Sequence, residues 1–231
     1  MAPLSELALF AGAGGGLLAS KHLLGHRVVC YVEREPYCVE VLKARIRDSH
    51  LDDAPVWDDV RTFDGKPWRG LVDIVSGGFP CQPFSSAAHG RNNAADLWPD
   101  MLRIVSEVEP RFVFAENVKR EPIEQAARDL AHLGYHATAC RLDASDVAAT
   151  HRRTRWWLVA DAYGESEPRF AQHEEVACLP VVPRLVWDDD AAPLGVDDGM
   201  AHRMDRLRAI GNGQVPLVAA SAWRNLRRLS P

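Results

Sequence analysis

Short apolar runs alternate with amphipathic segments from residue 4 to residue 160, and this alternation constrains the fold more than any other feature. Each apolar run has the length of a buried strand, and segments between them repeat apolar residues at helical spacing. The pattern predicts an α/β fold in which a mostly parallel, doubly wound sheet carries helices on both faces. The predicted strands cover residues 7–10, 28–32, 55–57, 72–76, 112–115, 136–142 and 156–160.

Prolines mark the predicted starts of three helices. Pro36 and Pro122 each precede a run with helical apolar spacing, and Gly134 ends the second run. Pro216 stands near the start of a third run with helical apolar spacing, which extends to Leu229. Because proline is well tolerated in the first turn of a helix, these positions indicate helix N-termini.

The regular pattern stops after Asp161, which divides the chain into three predicted parts. Residues 162–202 contain nine acidic residues against two arginines, whereas residues 203–231 contain six arginines against one acid. We predict a catalytic and cofactor-binding α/β domain over residues 1–161, a short irregular insert over 162–202, and a C-terminal segment over 203–231 whose helix returns to the catalytic domain.

Composition excludes several classes of protein. No window contains eighteen uninterrupted apolar residues, and the N-terminus lacks a secretion signal. Five cysteines without a Cys-x-x-Cys pair argue against a disulfide framework and a structural zinc site, and no other grouping has metal-ligand spacing. We therefore expect a soluble intracellular protein, with neither a metal nor a membrane partner.

A glycine-rich turn follows the first predicted strand in "LALFAGAGGG". Such a turn between strand and helix lets the backbone approach a ligand, although it also suits tight helix packing. Glu33 ends the second predicted strand, where an acid commonly binds ribose hydroxyls in this fold class. Asp59 follows the third strand and is a candidate acceptor for an adenine amino group, with a solvated loop acid as the alternative.

A second group of reactive side chains follows the central strands. Cys81 lies in "GGFPCQPFS", at the carboxyl end of the fourth strand, where it is either a nucleophile or a packed small residue. Glu116 ends the fifth strand. Arg153 and Arg155 precede the last strand at alternating positions, which favours a shared face and binding of an anion.

Taken in order, these motifs resemble those of the cytosine-C5 DNA methyltransferases that use S-adenosyl-L-methionine. The matching stretches are "FAGAGGG", Glu33, Asp59, "GGFPCQPFS", "LWPDMLRIV", "FAENV", "RRTR" and "AIGNGQVP". The resemblance implies a Rossmann-like methyltransferase fold, S-adenosyl-L-methionine as cofactor and DNA as substrate.

The resemblance also implies residue roles. Cys81 matches the nucleophile that adds to cytosine C6, Glu116 the acid that binds the N3 edge, and Arg153 and Arg155 the side chains that hold the base and its phosphate. The target base would be rotated out of the duplex. Residues matching the cofactor pocket are Phe10, Gly12, Gly14, Glu33, Asp59, Pro80, Leu97, Asn212 and Gly213.

The chain departs from the family pattern in two places. "AATHRR" replaces a turn that usually contains Gly, Pro and Gln, and the insert 162–202 is short and acidic where the family has a target-recognition domain. Specificity is then relaxed, or a partner subunit supplies recognition. Two alternatives stay open: methylation of RNA cytosine, and a non-catalytic cofactor- or DNA-binding relic.

Overall fold

The computed structural model describes residues 2–80, 96–162, 168–173, 205, 209 and 211–229. Within these residues a single sheet of eight strands forms the centre of the molecule, in the order β3-β2-β1-β4-β5-β7-β6-β8. The strands are β1 (Ser5–Leu9), β2 (Arg27–Val32), β3 (Val56–Trp57), β4 (Ile74–Gly78), β5 (Phe112–Asn117), β6 (His136–Leu142), β7 (Arg155–Asp161) and β8 (Arg169–Phe170).

Five α-helices flank this sheet in the described ranges. They are α1 (Gly15–Ala19), α2 (Pro36–Arg47), α3 (Trp98–Val108), α4 (Arg120–His132) and α5 (Pro216–Leu229). A π-helical turn, Ser20–Leu24, continues α1, and short 3₁₀ turns occupy Lys66–Trp68 and Ala144–Val147. None of the helices in these ranges is both long and apolar enough to cross a lipid bilayer.

The mostly parallel α/β fold predicted from the sequence is confirmed. Strands β1 to β5 pair in parallel, and only β7 runs antiparallel, inserted between β5 and β6. Chain order reverses at β1, which pairs with β2 on one side and β4 on the other. A crevice at the carboxyl ends of the strands forms at such a reversal, and it is the usual ligand site of open α/β sheets.

Helices cover both faces of the sheet, as β1 shows: its apolar side chains alternate between the two faces and are buried on both. Leu7 and Leu9 are buried in the cluster that includes α3 and α4, whereas Ala8 is buried in a cluster with Leu17 and Leu42 of α1 and α2. Helix α5 packs on the sheet through Trp223, which contacts two phenylalanine rings of β5. Two apolar layers therefore enclose the sheet and fix its carboxyl edge.

Strand bounds differ from the predicted ones by up to two residues, and two further differences concern α4 and the insert. Helix α4 begins at Arg120, two residues before Pro122, because proline fits within the first turn. Strand β8 lies inside the insert that was expected to be irregular, and it pairs in parallel with β6. Two residues are too few to show an alternating pattern, so this strand has no sequence signal.

Candidate active site

The predicted site residues meet at the carboxyl edge of the sheet. They lie just after β1, β2, β3 and β4, at the end of β5, and at the first residue of antiparallel β7. A cavity of about 940 Å³ opens along this edge. The predicted residues that line it are Phe10, Gly12, Glu33, Asp59, Pro80, Leu97, Glu116, Arg155 and Asn212.

The turn after β1 is held in a left-handed conformation beside the cavity. Gly12 has a φ of 55°, and a Cβ built there would meet no atom within 4 Å. A left-handed φ favours glycine, and the open space leaves the backbone accessible to a ligand. Phe10 also has a positive φ, of 51°, which is strained for a residue with a side chain.

Glu33 is fixed by two backbone hydrogen bonds. The Gly12 N–H donates to Glu33 Oε2 at 2.6 Å, and the Glu35 N–H donates to Oε1 at 2.7 Å. Each carboxylate oxygen keeps a second lone pair free of these bonds. The Glu33 carboxylate is thus a rigid acceptor on the cavity wall.

Asp59 is held by a neighbouring guanidinium. Arg61 Nη2 lies 2.5 Å from Asp59 Oδ2, and the Arg61 backbone N–H donates to Oδ1 at 3.0 Å. These hydrogen bonds from Arg61 lower the pKa of Asp59 to about 2. Asp59 is therefore a charged acceptor at any pH near neutrality.

Glu116 and Arg155 form a buried ion pair at the other side of the cavity. Arg155 Nε lies 3.0 Å from Glu116 Oε1, and the two side chains are 17% and 9% exposed. Burial raises the pKa of Glu116, while Arg155, Gln214 and Arg153 oppose this rise. Desolvation makes the neutral acid more accessible here than in water, so this group is suited to proton donation.

Arg153 contacts the C-terminal segment, and its role in holding the base and its phosphate stays a prediction. Its Nη2 donates to the carbonyl oxygens of Gly211, at 2.8 Å, and Gly213. It does not line either described cavity. Adjacent carbonyl oxygens of the C-terminal segment attract the guanidinium, so it joins the start of β7 to that segment.

The C-terminal segment packs against the glycine-rich turn. A Cβ built on Gly15 would lie 2.5 Å from the Gln214 carbonyl oxygen, and one on Gly16 would clash with the Gln214 side-chain oxygen. Gly213 and Gln214 line a smaller cavity of about 50 Å³ behind the main one, together with Glu116. A Cβ built on Gly14, by contrast, would contact Leu42 and Leu51, and Gly14 lines neither described cavity, so its role in cofactor binding stays a prediction.

The chain on both sides of residues 81–95 is anchored. The Asn117 side chain donates to the Phe79 carbonyl at 2.9 Å, and the Leu97 N–H donates to the Pro80 carbonyl at 3.3 Å. Cys81, the next residue after Pro80, lies outside the described residues. The two ends of this segment therefore meet at the cavity wall.

Comparison with known proteins decides the family. Residues 4–179 match the family described as C-5 cytosine-specific DNA methylase. The chain belongs to this family. It is 32% identical over 165 residues to the Type II methyltransferase M.NgoMIV of Neisseria gonorrhoeae, covering 68% of this chain and 51% of that protein.

Two further methylases show how far the similarity extends. The Type II methyltransferase M.CviJI of Paramecium bursaria Chlorella virus IL3A is 28% identical over 218 residues, covering 91% of this chain and 56% of that protein. The chain thus spans about half the length of the relatives it matches. A crystal structure of Spodoptera frugiperda DNMT2 shares the fold, with a TM-score of 0.58 and 18% identity over 73% of this chain and 54% of that one.

Three contacts in this candidate site were not predicted from the sequence. Arg61 pairs with Asp59, Arg45 donates to the Ala13 carbonyl at 2.6 Å under the glycine turn, and Gln214 contacts Glu116. Only Gln214 had a signal, because it stands inside the "AIGNGQVP" motif. The arginines are indistinguishable from surface residues by type and spacing.

Proposed function

We propose that this chain transfers a methyl group from S-adenosyl-L-methionine to C5 of cytosine in DNA. The observation that supports this most is a single cavity that spans neighbouring strands, with Glu33 and Asp59 on one side and the Glu116–Arg155 pair on the other. Pro80, directly before Cys81, lies between them in the strand order. Cofactor and base would then meet at the cysteine.

The residues beside β1, β2 and β3 fit the cofactor. Glu33 is a fixed acceptor suited to ribose hydroxyls, and Asp59 is a charged acceptor suited to an adenine amino group. Phe10 and Leu97 add apolar surface, and Asn212 adds an amide. S-adenosyl-L-methionine, when bound, supplies an electrophilic methyl group on a sulfonium.

The residues beside β4, β5 and β7 act on the base. The Cys81 thiolate adds to cytosine C6, which forms a C–S bond and shifts the C5=C6 electrons toward C5. Glu116 holds its proton at the N3 edge, and Arg155 orients that carboxyl. C5 would then take the methyl group as its bond to the sulfonium sulfur breaks and leaves a thioether, and loss of the C5 proton to water would expel the thiolate and restore the double bond.

The environment of Glu116 suits this role. A proton donor must remain protonated until the base needs the proton, and burial of Glu116 favours the neutral acid. Arg155 favours the charged form that remains after donation. The balance keeps both protonation states within reach, as general acid catalysis requires.

Sequence recognition is a separate part of the proposal. The insert 162–202 is acidic and lies largely outside the described residues, as do Arg203, Arg206 and Arg208. We propose that a partner subunit contributes base recognition while arginines of this chain bind phosphates, which would give affinity without reading sequence. A steep fall of DNA affinity with added salt is expected for this mode.

Nucleoside mass spectrometry tests the reaction. Unmethylated plasmid DNA and RNA are incubated with the protein and isotopically labelled S-adenosyl-L-methionine. We expect labelled 5-methylcytosine in DNA, lost in Cys81→Ala and retained in Cys140→Ala, which removes a buried thiol from β6. Bisulfite sequencing of the product then reads the target site.

Two outcomes would contradict the proposal. Label in RNA alone would assign the activity to RNA cytosine. Cofactor binding without transfer to either nucleic acid, even with candidate partner subunits added, would identify a non-catalytic relic.

A further inference from the structure

We infer that Gln214 is a positioning residue for Glu116, donating a hydrogen bond that holds the carboxyl in place. This inference rests on the proposed function, because it assigns a role to a neighbour of the proposed proton donor. The observations are the contacts of Gln214, the glycines that make room for it, and the arginine that anchors its segment.

Three glycines create the space that Gln214 occupies. On the turn after β1, a Cβ at Gly15 would lie 2.5 Å from the Gln214 carbonyl, and one at Gly16 would clash with its amide oxygen. On β4, a Cβ at Gly78 would lie 2.8 Å from Glu116 Oε2 and 3.2 Å from Gln214 Nε2. The amide is therefore set between two elements, with its nitrogen beside the carboxylate.

The segment that bears Gln214 is fixed at both ends. Arg153 binds the carbonyl oxygens of Gly211 and Gly213, immediately before it. Helix α5 begins two residues later, and Leu217 and Val218 are buried against the sheet. Gln214 thus occupies a site defined by backbone contacts, which is what a positioning side chain requires.

Gln214 and Arg155 engage Glu116 together. Arg155 Nε lies 3.0 Å from Oε1, and the Gln214 amide donates a hydrogen bond to the same carboxylate, beside Oε2. The charged groups that face Glu116 are Arg155 and, farther off, Arg153. Glu6 of β1, itself held by the Ser76 hydroxyl, lines the same small cavity.

An amide has an advantage over a second cation at this position. As a donor it stabilises the carboxylate, and after rotation its oxygen can accept from the protonated acid. A lysine or arginine could only donate. Gln214 can therefore stay paired with Glu116 in both protonation states of the catalytic cycle, so that neither the amide nor the carboxyl loses its hydrogen bond.

Gln214→Met tests this role, because it keeps the length of the side chain and removes the donor. Infrared difference spectra of ¹³C-glutamate-labelled protein follow the Glu116 carboxyl as pH rises, with Glu116→Gln identifying its band. We expect the titration midpoint to move to higher pH in Gln214→Met, since a bond to the charged form is lost. Gln125→Met is the matched control, on the exposed face of α4, and should titrate like wild type.

Kinetics give a second measurement. Single-turnover methylation should fall about 10-fold in Gln214→Met, as for loss of one hydrogen bond to a charged group, with unchanged affinity for the cofactor. The pH at which the rate falls on the alkaline side should rise by the same amount as the infrared midpoint. Gln214→Glu, which donates only when its own carboxyl is protonated, should recover activity relative to wild type as pH falls.

The two experiments separate the two claims. An unchanged infrared midpoint in Gln214→Met would overturn the role of Gln214, whether or not the protein methylates DNA. If the midpoint shifts in Gln214→Met but the wild-type protein methylates neither DNA nor RNA, the pairing of Gln214 with Glu116 stands and the proposed function is contradicted instead.

Discussion

Asp59 and Glu116 are carboxyl groups on opposite sides of one cavity, and each is paired with an arginine, but Glu116 is buried and Asp59 is not. Asp59 lies in a loop after an edge strand and accepts two kinds of hydrogen bond from Arg61, which lower its pKa to about 2. Glu116 is the penultimate residue of β5. It is buried, which raises its pKa despite the adjacent Arg155.

The comparison shows how strand position assigns chemistry to identical functional groups. Solvent near a sheet edge leaves a carboxylate charged, so it can only accept hydrogen bonds. Burial at the sheet centre makes the neutral form accessible, so the group can give a proton. Placement alone therefore makes one carboxyl suited to accepting hydrogen bonds and the other suited to giving a proton.

The strongest test of this contrast replaces the proton donor. Glu116→Gln keeps the size and one acceptor for Arg155 but removes the proton. We expect the single-turnover methylation rate to fall ~10²–10⁴-fold, the range for loss of a general acid, with cofactor affinity within about 2-fold of wild type. Rapid-quench kinetics and calorimetry measure the two quantities.

Glu40→Gln is the matched control for that variant. Glu40 is exposed on α2 and paired with Lys43, so the same chemical change there should leave the rate unaltered. A normal rate for Glu116→Gln would mean that Glu116 serves only as the partner of Arg155, and the contrast with Asp59 would lose its functional meaning.

A smaller effect is expected when the fixed acceptor beside β2 is changed. Glu33→Gln retains an oxygen for one of the two backbone donors but loses the charge. Cofactor affinity should fall ~10–100-fold, since hydrogen bonds to a charged group contribute about 1.5–3 kcal/mol, while the rate at saturating cofactor changes little. Calorimetric titration gives the affinity. Equal losses in affinity and saturated rate would place Glu33 in the reacting centre.

The sequence predicts the strands and the edge at which they end, because apolar periodicity and motif order are local signals. It therefore brings Glu33, Asp59, Glu116 and Arg155 to one cavity. It does not predict that Arg153 turns away to Gly211 and Gly213, since alternation along a strand gives a shared face but not the partner. Nor does it reveal Arg61 beside Asp59, because a loop arginine has no periodic signature.

Stability against pH offers a test that needs no substrate. The ordinary pKa of a glutamate carboxyl is 4.5, and burial raises the pKa of Glu116 in the folded protein above this value. The folded protein therefore binds this proton more tightly than the unfolded chain does, and the stability that the group contributes is lost as pH rises from 4.5 through the folded pKa. Glu116→Gln cannot ionise and lacks this term. Its melting temperature should therefore decline less than that of wild type as pH rises above about 4.5, which calorimetry would show. Parallel curves would indicate that burial does not shift this acid.

Asp59→Asn should produce the smallest change in stability and the opposite pH dependence. Asp59 has a folded pKa of about 2, below its ordinary 3.8, so its contribution is present above 3.8 and disappears as pH falls through about 2. The pair with Arg61 is solvent-exposed, so the variant should lose less than about 1 kcal/mol near neutrality. Chemical denaturation at pH 7, 5 and 3 should show a constant difference from wild type at the first two values and a smaller one at the third. A difference that grew as pH fell would require Asp59 to be held protonated in the folded state, and both carboxyls would then share the environment of an acid.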